Sequence, residues 1–543
     1  MTKFSLFLQV YFIMKSPIKV ILFALTALLL FAFAIQQLTG MFTFAELNGV
    51  TQEKPEPHWT FGNYCTGLAQ RDTEAYLKEH FGFREPLTRF YNQTVWSLFR
   101  YSNVEEKKRI MIAKGNWLFE PWTVEEYYQS CAYRYGEDST QVARMFAAEA
   151  FRLYQIQKIL EPYGTKLFVA LLPGKNLVCQ EHMPKNTRYF EEKKITAFDF
   201  YEEQFNQLGV NHINLGKWFV ELKGHTDYPL FPQTGTHWSN LAAIHATDTL
   251  VRYMEQLGGI RLQHFTIGEK YQRTVKPDAD LESLMNLMFD LRKKPNYLAP
   301  CTLIDDSTAV HPRLITIGDS FYWNIVNHTP FAKLFSSYPY WYYFSTVYFD
   351  GTDYDIKTRD VLKEVLSADY IMLSYATTQL YGMSNGFSTK VLLELCYDED
   401  EIEQRTAKVR ATMEKDSAWM QKIAKKAQQN GESMEQAITG GLDYLINNNL
   451  EKYFPALCDS IPTRRSLKTR ALTGDSLAFV EWETRKLVKE IKSDSAKLEA
   501  TRKKSIERGI DLEKMIYYDA RWVVNHKLEN GKLKYENMVK KTL

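Results

Sequence analysis

ITIGDSFYWN, residues 315–324, begins as a β-branched apolar run and breaks at Gly318-Asp319-Ser320 before a helical pattern resumes. A serine at such a strand-to-helix turn has its hydroxyl lifted over the sheet edge. The N–H groups of the new helix start then face any oxyanion that develops there. Gly318 lets the chain turn where a side chain would clash, and Asp319 on its own reads as a helix N-cap. Outward from this point, TKLFVALL from 165, GVNHINL from 209, RLITIG from 313 and DYIMLSY from 369 are further short apolar runs separated by helical patterns. Alternation of this kind predicts an α/β fold with a mostly parallel sheet flanked by helices, its active groups at the carboxyl ends of strands.

Two other motifs fall at such ends. FPQTGTHWSN, residues 231–240, places His237 in a polar turn just before a helix opening at Ser239 or Asn240. A base meets its nucleophile through the fold, so the stretch of chain between His237 and Ser320 is no obstacle. A histidine alone is more often a structural hydrogen-bonding group than a base; two such turns together point to acyl transfer. LLPGKNLV, residues 171–178, follows the strand at 165 and offers Lys175 and Asn176 as donors to an acyl oxygen or a sugar hydroxyl. A surface turn with a solvated lysine is the plain alternative.

The 543 residues, 45% hydrophobic and 24% charged, describe a globular chain long enough for more than one core. The 67 Lys and Arg are scattered among 65 Asp and Glu, which leaves no basic stripe and excludes a nucleic-acid partner. Aromatic residues reach 14%, a share that suits sugar stacking but equally a large core. IKVILFALTALLLFAFAI, residues 18–35, is uncharged after Lys19 and preceded by Lys3 and Lys15. It reads as a transmembrane anchor over 18–38 with a cytoplasmic N-terminus, which puts the body outside the membrane. A cleaved signal peptide ending near Ala32-Phe33-Ala34 is the rival, and it too exports the body. Six cysteines in an oxidising compartment permit disulfides of unreadable pairing, and no spacing supports a metal site.

Residues 39–60, with TQEKPEPHW at 51–59, read as a linker, 61–397 as the α/β domain, and 398–543 as an all-α region. That last region holds a two-copy repeat. Asp416, Gly431, Glu435 and Ile438 match Asp494, Gly509, Glu513 and Ile516 at a constant spacing of 78, each copy reading as helix, glycine turn, helix. It serves either as a docking appendage or as a cap on the enzyme domain.

Across Tyr76–Tyr381 the ordered motifs resemble the alginate O-acetyltransferase-like, SGNH-hydrolase-like proteins that work beside membrane-bound O-acyltransferases. HFGFREPLTRFYN at 80–92 is similar to the family's "FGFR" segment, and KGNWLF at 114–119 to its glycine-tryptophan-leucine-phenylalanine turn. PGK at 173–175 matches its Pro-x-Lys element, and THW at 236–238 precedes GDSF at 318–321 in the family's order. The resemblance implies Ser320 as nucleophile and His237 as base; beside them, Lys175, Asn176, Trp238, Gly318 and Asp319 are the candidate substrate and oxyanion set. It departs at Gly235, where the family usually has Asp. Either another carboxylate substitutes, Asp227 being the nearest upstream, or Ser320 and His237 act as a dyad, or the site is weakened.

The resemblance further implies an extracytoplasmic O-acetyltransferase of the bacterial inner membrane, facing the periplasm. It would use no cofactor, take acetyl groups from a membrane-bound O-acyltransferase and pass them to a polysaccharide. The alternatives are a carbohydrate acetylesterase and a non-catalytic polysaccharide-binding or scaffold subunit.

Overall fold

The computed structural model describes residues 17–49, 56–104, 110–127, 139–184, 196–291, 293–459 and 461–539. Lys3, Lys15, Cys131 and the linker residues 51–55 lie outside them. The apolar N-terminal run forms a single helix, α1 (Pro17–Thr39), whose 23 residues are about 34 Å long, enough for a hydrocarbon core. A second helix, α2 (Arg84–Phe99), follows in the segment before the α/β body.

That body is built on seven strands: β1 (Lys166–Leu172), β2 (His212–Asn214), β3 (Leu314–Gly318), β4 (Tyr340–Tyr342), β5 (Thr346–Phe349), β6 (Thr352–Asp355) and β7 (Tyr370–Ala376). Their order is β6-β5-β4-β3-β7-β1-β2. The four pairings from β4 to β2 are parallel, and β5 and β6 extend the other edge as antiparallel strands. The sheet is therefore mixed. β1, β3 and β7 are buried nearly throughout, because both faces are covered by helices, and this explains why their sequences are continuous apolar runs rather than alternating ones.

One face packs on α3 (Ser139–Leu160) and Ala197–Leu208, the other on α4 (Asn240–Gly258), giving two apolar cores separated by the sheet. The first core does not stop at residue 398. It continues through Val409, Met413, Ile423, Ile438, Leu450 and Leu457, so the helices after Asp398 share the interior of the α/β body. The guanidinium of Arg152 on α3 reaches across to Glu451 (2.9 Å) and the Asn447 carbonyl (2.8 Å), and Gln155 donates to the Leu457 carbonyl (2.8 Å).

Each copy of the repeat folds as helix, left-handed glycine, helix. Ser417–Asn430 and Met434–Asn448 flank Gly431 (φ 69°), and Ser495–Arg508 and Leu512–Glu529 flank Gly509 (φ 63°). Asp416 and Asp494 cap the first helix of each copy by accepting from two backbone N–H groups. A long helix precedes each cap, Glu399–Lys415 and Ser476–Ser493, so the repeating unit is three helices rather than two. Among the described residues Cys65, Cys179, Cys301, Cys396 and Cys458 are free thiols, so the disulfides that the compartment would permit are not formed among them.

Candidate active site

β3 ends at Gly318 because β7 runs alongside too closely for a side chain: a Cβ on Gly318 would stand 2.3 Å from the Ser374 carbonyl oxygen. The chain then turns through Asp319-Ser320-Phe321 into the helix Tyr322–His328. The turn is fixed from beneath by Asp319, which is fully buried. One carboxylate oxygen accepts from Phe321 N–H (3.0 Å), the other from Ala376 N–H (2.7 Å), and its carbonyl accepts from the Tyr340 hydroxyl (2.5 Å). Burial pushes its pKa up to about 6, although both N–H groups favour the charged form. Asp319 is thus the footing of the turn, a task different from the substrate contact expected of it.

Ser320, partly exposed, accepts or donates to His237 Nε2 at 2.8 Å. On the opposite side of the ring, His237 Nδ1–H donates to Asp280 Oδ2 at 2.6 Å. Asp280 opens a five-residue helix, α5 (Asp280–Leu284), and its second oxygen is occupied by Thr236 N–H (2.8 Å) and its neighbour Leu281 N–H (2.7 Å). Burial opposes a charge on His237, but the Asp280 hydrogen bond and charge, with Glu120 and Asp319 behind them, hold its pKa above the ordinary imidazole value. Three loops thus deliver hydroxyl, imidazole and carboxylate in line, in the chain order His, Asp, Ser.

Asp280 is the acid that sequence reasoning missed, and Asp227 does not reach the imidazole. The Asp227 side chain is 82% exposed and paired with Lys270, which holds its carboxyl below the usual range. The carboxylate absent at Gly235 is replaced from 43 residues downstream of the histidine. The only signal for Asp280 in the sequence is an acid at a helix start in KPDADL, a pattern shared by many ordinary caps.

Lys175 also has another task. Its ammonium is buried and donates to three carbonyls, Leu118 (2.8 Å), Gln233 (3.1 Å) and Gly235 (2.6 Å), beneath the rings of Trp117 and Phe119. It ties the KGNWLF hairpin and the FPQTGTHW loop to the PGK turn. Three motifs far apart in sequence therefore converge on one cation. Desolvation lowers its pKa to about 8. Asn176 is likewise committed, donating to Glu126 (3.0 Å) and accepting from the Thr377 hydroxyl (2.9 Å). Trp238 is fully buried, donates to the Phe321 carbonyl (3.1 Å) and wedges the histidine loop against the Ser320 turn.

Two further groups line the site. Tyr343, just beyond β4, brings its hydroxyl close to Ser320, and burial keeps that phenol protonated. It and Phe344 hold φ of 47° and 49°, strained values for residues with side chains and a recurrent mark of functional positions. Glu120 accepts from the Thr236 hydroxyl at 2.6 Å; burial raises its pKa to about 7, helped by the nearby Asp280 charge and opposed by Thr236, His237 and Lys175. The Ser320 backbone N–H has no protein partner among the described residues, which leaves it available to an acyl oxygen. A cavity of about 820 Å³ lies elsewhere, between α3 and the helices after 398, and none of these groups lines it.

Residues 110–313 match the family described as "SGNH hydrolase-like domain, acetyltransferase AlgX". The match takes in Lys175, His237 and Asp280 and ends one strand before Ser320. No curated protein matches the chain. Among solved structures it is similar to the O-acetyltransferase domain of Pseudomonas putida AlgJ, with 14% identity, a TM-score of 0.35 and coverage of 52% of this chain and 99% of that one. Pseudomonas aeruginosa AlgX is similar at 13% identity and TM-score 0.33, covering 52% of this chain and 67% of that one. For Bacillus cereus PatB1 with a sulfonyl adduct the figures are 12%, 0.33, 52% and 99%. The segment 110–313, which carries His237 and Asp280, is thus similar to the SGNH hydrolase-like acetyltransferase domain that this family model describes.

Proposed function

We propose that this chain is an extracytoplasmic O-acetyltransferase that passes acetyl groups through an acyl-Ser320 intermediate to hydroxyls of a polysaccharide. The observation that carries the reading is the unbroken relay from Asp280 through His237 to Ser320, at 2.6 and 2.8 Å. His237 Nε2 takes the Ser320 proton as Oγ attacks the acyl carbon, and Asp280 stabilises the imidazolium that forms. The developing oxyanion is met by the Ser320 N–H and the Tyr343 hydroxyl. His237 then returns its proton to the departing group. In the second half a sugar hydroxyl gives its proton to His237 and attacks the acyl-serine, which releases Ser320 and the acetylated sugar.

The apolar helix α1 supports anchoring in the bacterial inner membrane with the domain on the periplasmic side. Acetyl-CoA is cytoplasmic and one span offers no route across, so the reading calls for a membrane-bound O-acyltransferase as donor. An acetylesterase would use the same first half with water in the second.

The test is labelling of purified protein with a sulfonyl fluoride, located by peptide mass spectrometry, followed by acetyl transfer from a chromogenic acetyl ester to an oligosaccharide. A Ser320 adduct and an acetylated sugar are the expected results. Acetate with no acetylated sugar selects the esterase, and an unlabelled Ser320 with undiminished ester turnover by Ser320→Ala would end the catalytic reading.

A further inference from the structure

The helix α2 is amphipathic in an inverted sense. On a 100° wheel, Arg89, Asn92 and Trp96 fall on one side, and that side faces the protein. Trp96 is buried against Leu281 and Met285, Asn92 donates to the Met285 carbonyl (3.0 Å), and the Arg89 guanidinium donates to the carbonyls of Ala45 (2.9 Å) and Glu46 (2.8 Å). The outward side carries Leu87, Phe90, Tyr91 and Leu98 at helical spacing. Phe90 is 59% exposed, Tyr91 56% and Leu98 69%. No element among the described residues covers them; Thr94 lies among them with its hydroxyl bonded back to the Phe90 carbonyl (2.8 Å), and a largely apolar helix face left to water is unfavourable.

What covers this face is indicated by its continuity with α1. Gly82, just before α2, lies so close to the end of α1 that a Cβ there would stand 2.2 Å from the Phe33 carbonyl oxygen. Phe83 packs its ring on Phe33 (5.7 Å) and Phe42 (6.1 Å), and the segment leaving α1 is pinned to the body by Arg89 and by Asn48 and Asn286, which exchange hydrogen bonds. The C-terminal end of the apolar span and the start of the apolar face of α2 are thus one surface. Trp59, Phe61 and Tyr64 are exposed in the segment ahead of it, aromatic residues of the kind that settle at the bilayer–water boundary.

We propose that α2 lies in the membrane interface with Leu87, Phe90, Tyr91 and Leu98 among the lipid acyl chains, as a second, monotopic attachment beside α1. The proposal rests on α1 being a membrane anchor and is independent of the chemistry assigned to Ser320. It fixes the orientation of the catalytic body as well as its tether, because α2 packs on the helix whose first residue is Asp280. The site is thereby held beside the bilayer, where an acyl donor embedded in the membrane would present its cargo.

The test uses the full chain in native membranes, with p-benzoylphenylalanine replacing Phe90, Tyr91 or Leu98 singly and, as references, Leu25 in α1 and exposed Lys425. After irradiation, lipid adducts are counted by mass spectrometry. Adducts at 90, 91 and 98 comparable to those at 25, and at least ~10-fold above those at 425, are expected of a helix lying in the interface. Lipid adducts at 25 with none on the α2 face would overturn the proposal and leave the anchor standing. Protein-sized adducts on that face would overturn it in favour of a membrane-protein partner. Absence of lipid adducts at 25 would remove the anchor reading and the proposal together, while sulfonyl labelling of Ser320 would be untouched.

Discussion

Replacing Asp280 by Asn keeps the shape of the side chain and removes its charge from the far side of the His237 ring. The two side chains are only 24% and 17% exposed, so the interaction is screened far less than in water. With charge centres about 4 Å apart and an effective dielectric of about 20, loss of the carboxylate withdraws about 4 kcal/mol from the imidazolium formed in the transition state. That corresponds to a rate loss of about 10³-fold, and an amide that no longer enforces the Nδ1–H tautomer takes the loss toward ~10⁴-fold. The pH profile moves as well. His237 must be neutral to accept the serine proton, so activity falls as pH drops through its raised pKa. Without the Asp280 charge that pKa falls, and the acid limb shifts to lower pH even as the plateau collapses. Turnover of a chromogenic acetyl ester, measured from about pH 5 to 9 with both variants, spans the imidazole titration. A loss below ~10-fold in Asp280→Asn, or an equal loss in Asp227→Asn, would refute the assignment of the acid, since a true triad member costs far more.

Tyr343→Phe removes one oxyanion donor and is expected to lower kcat by about 10²-fold with the thermal midpoint nearly unchanged; steady-state kinetics beside a melting curve checks both. Lys175→Met leaves the buried Leu118 and Gly235 carbonyls without their donor, and a loss of about 2–5 kcal/mol in urea unfolding is expected, as for two buried acceptors left unsatisfied. Glu120→Gln removes a negative group near His237, so the imidazole pKa falls and the acid limb of activity moves to lower pH. Because burial raises the folded-state pKa of Glu120, its contribution to stability is full below about pH 4.5 and is lost as pH rises through about 7. The melting temperature of the native protein relative to Glu120→Gln should therefore decline over that window.

The meeting of Ser320 with His237 was legible because each occupies a polar break at the margin of a strongly patterned element, Ser320 after a β-branched strand and His237 ahead of a helix. The parallel core was legible from the continuous apolar runs that doubly covered strands require. Asp280 was not, since one acid among 65 at the start of a five-residue helix carries no pattern of its own, and proximity to His237 comes only from the packing of α5 beneath the histidine loop. Lys175 misled for the opposite reason. A Pro-Gly-Lys turn reads as surface, and only the convergence of three loops around it turns a solvated lysine into a buried strut. The antiparallel strands β5 (TVYF) and β6 (TDYD) are only four residues long, too short to carry a pattern, and the sequence reading does not single them out.

The shift from strand-bearing to helical sequence at Asp398 is not an energetic seam. Leu450, Phe454 and Leu457 are fully or almost fully buried in the same interior as the strands. A chain cut at 398 would bare that greasy flank and leave the Arg152 guanidinium with Glu149 but without Glu451, so the stretch from 398 to 457 is as much a part of the enzyme's keel as the sheet itself.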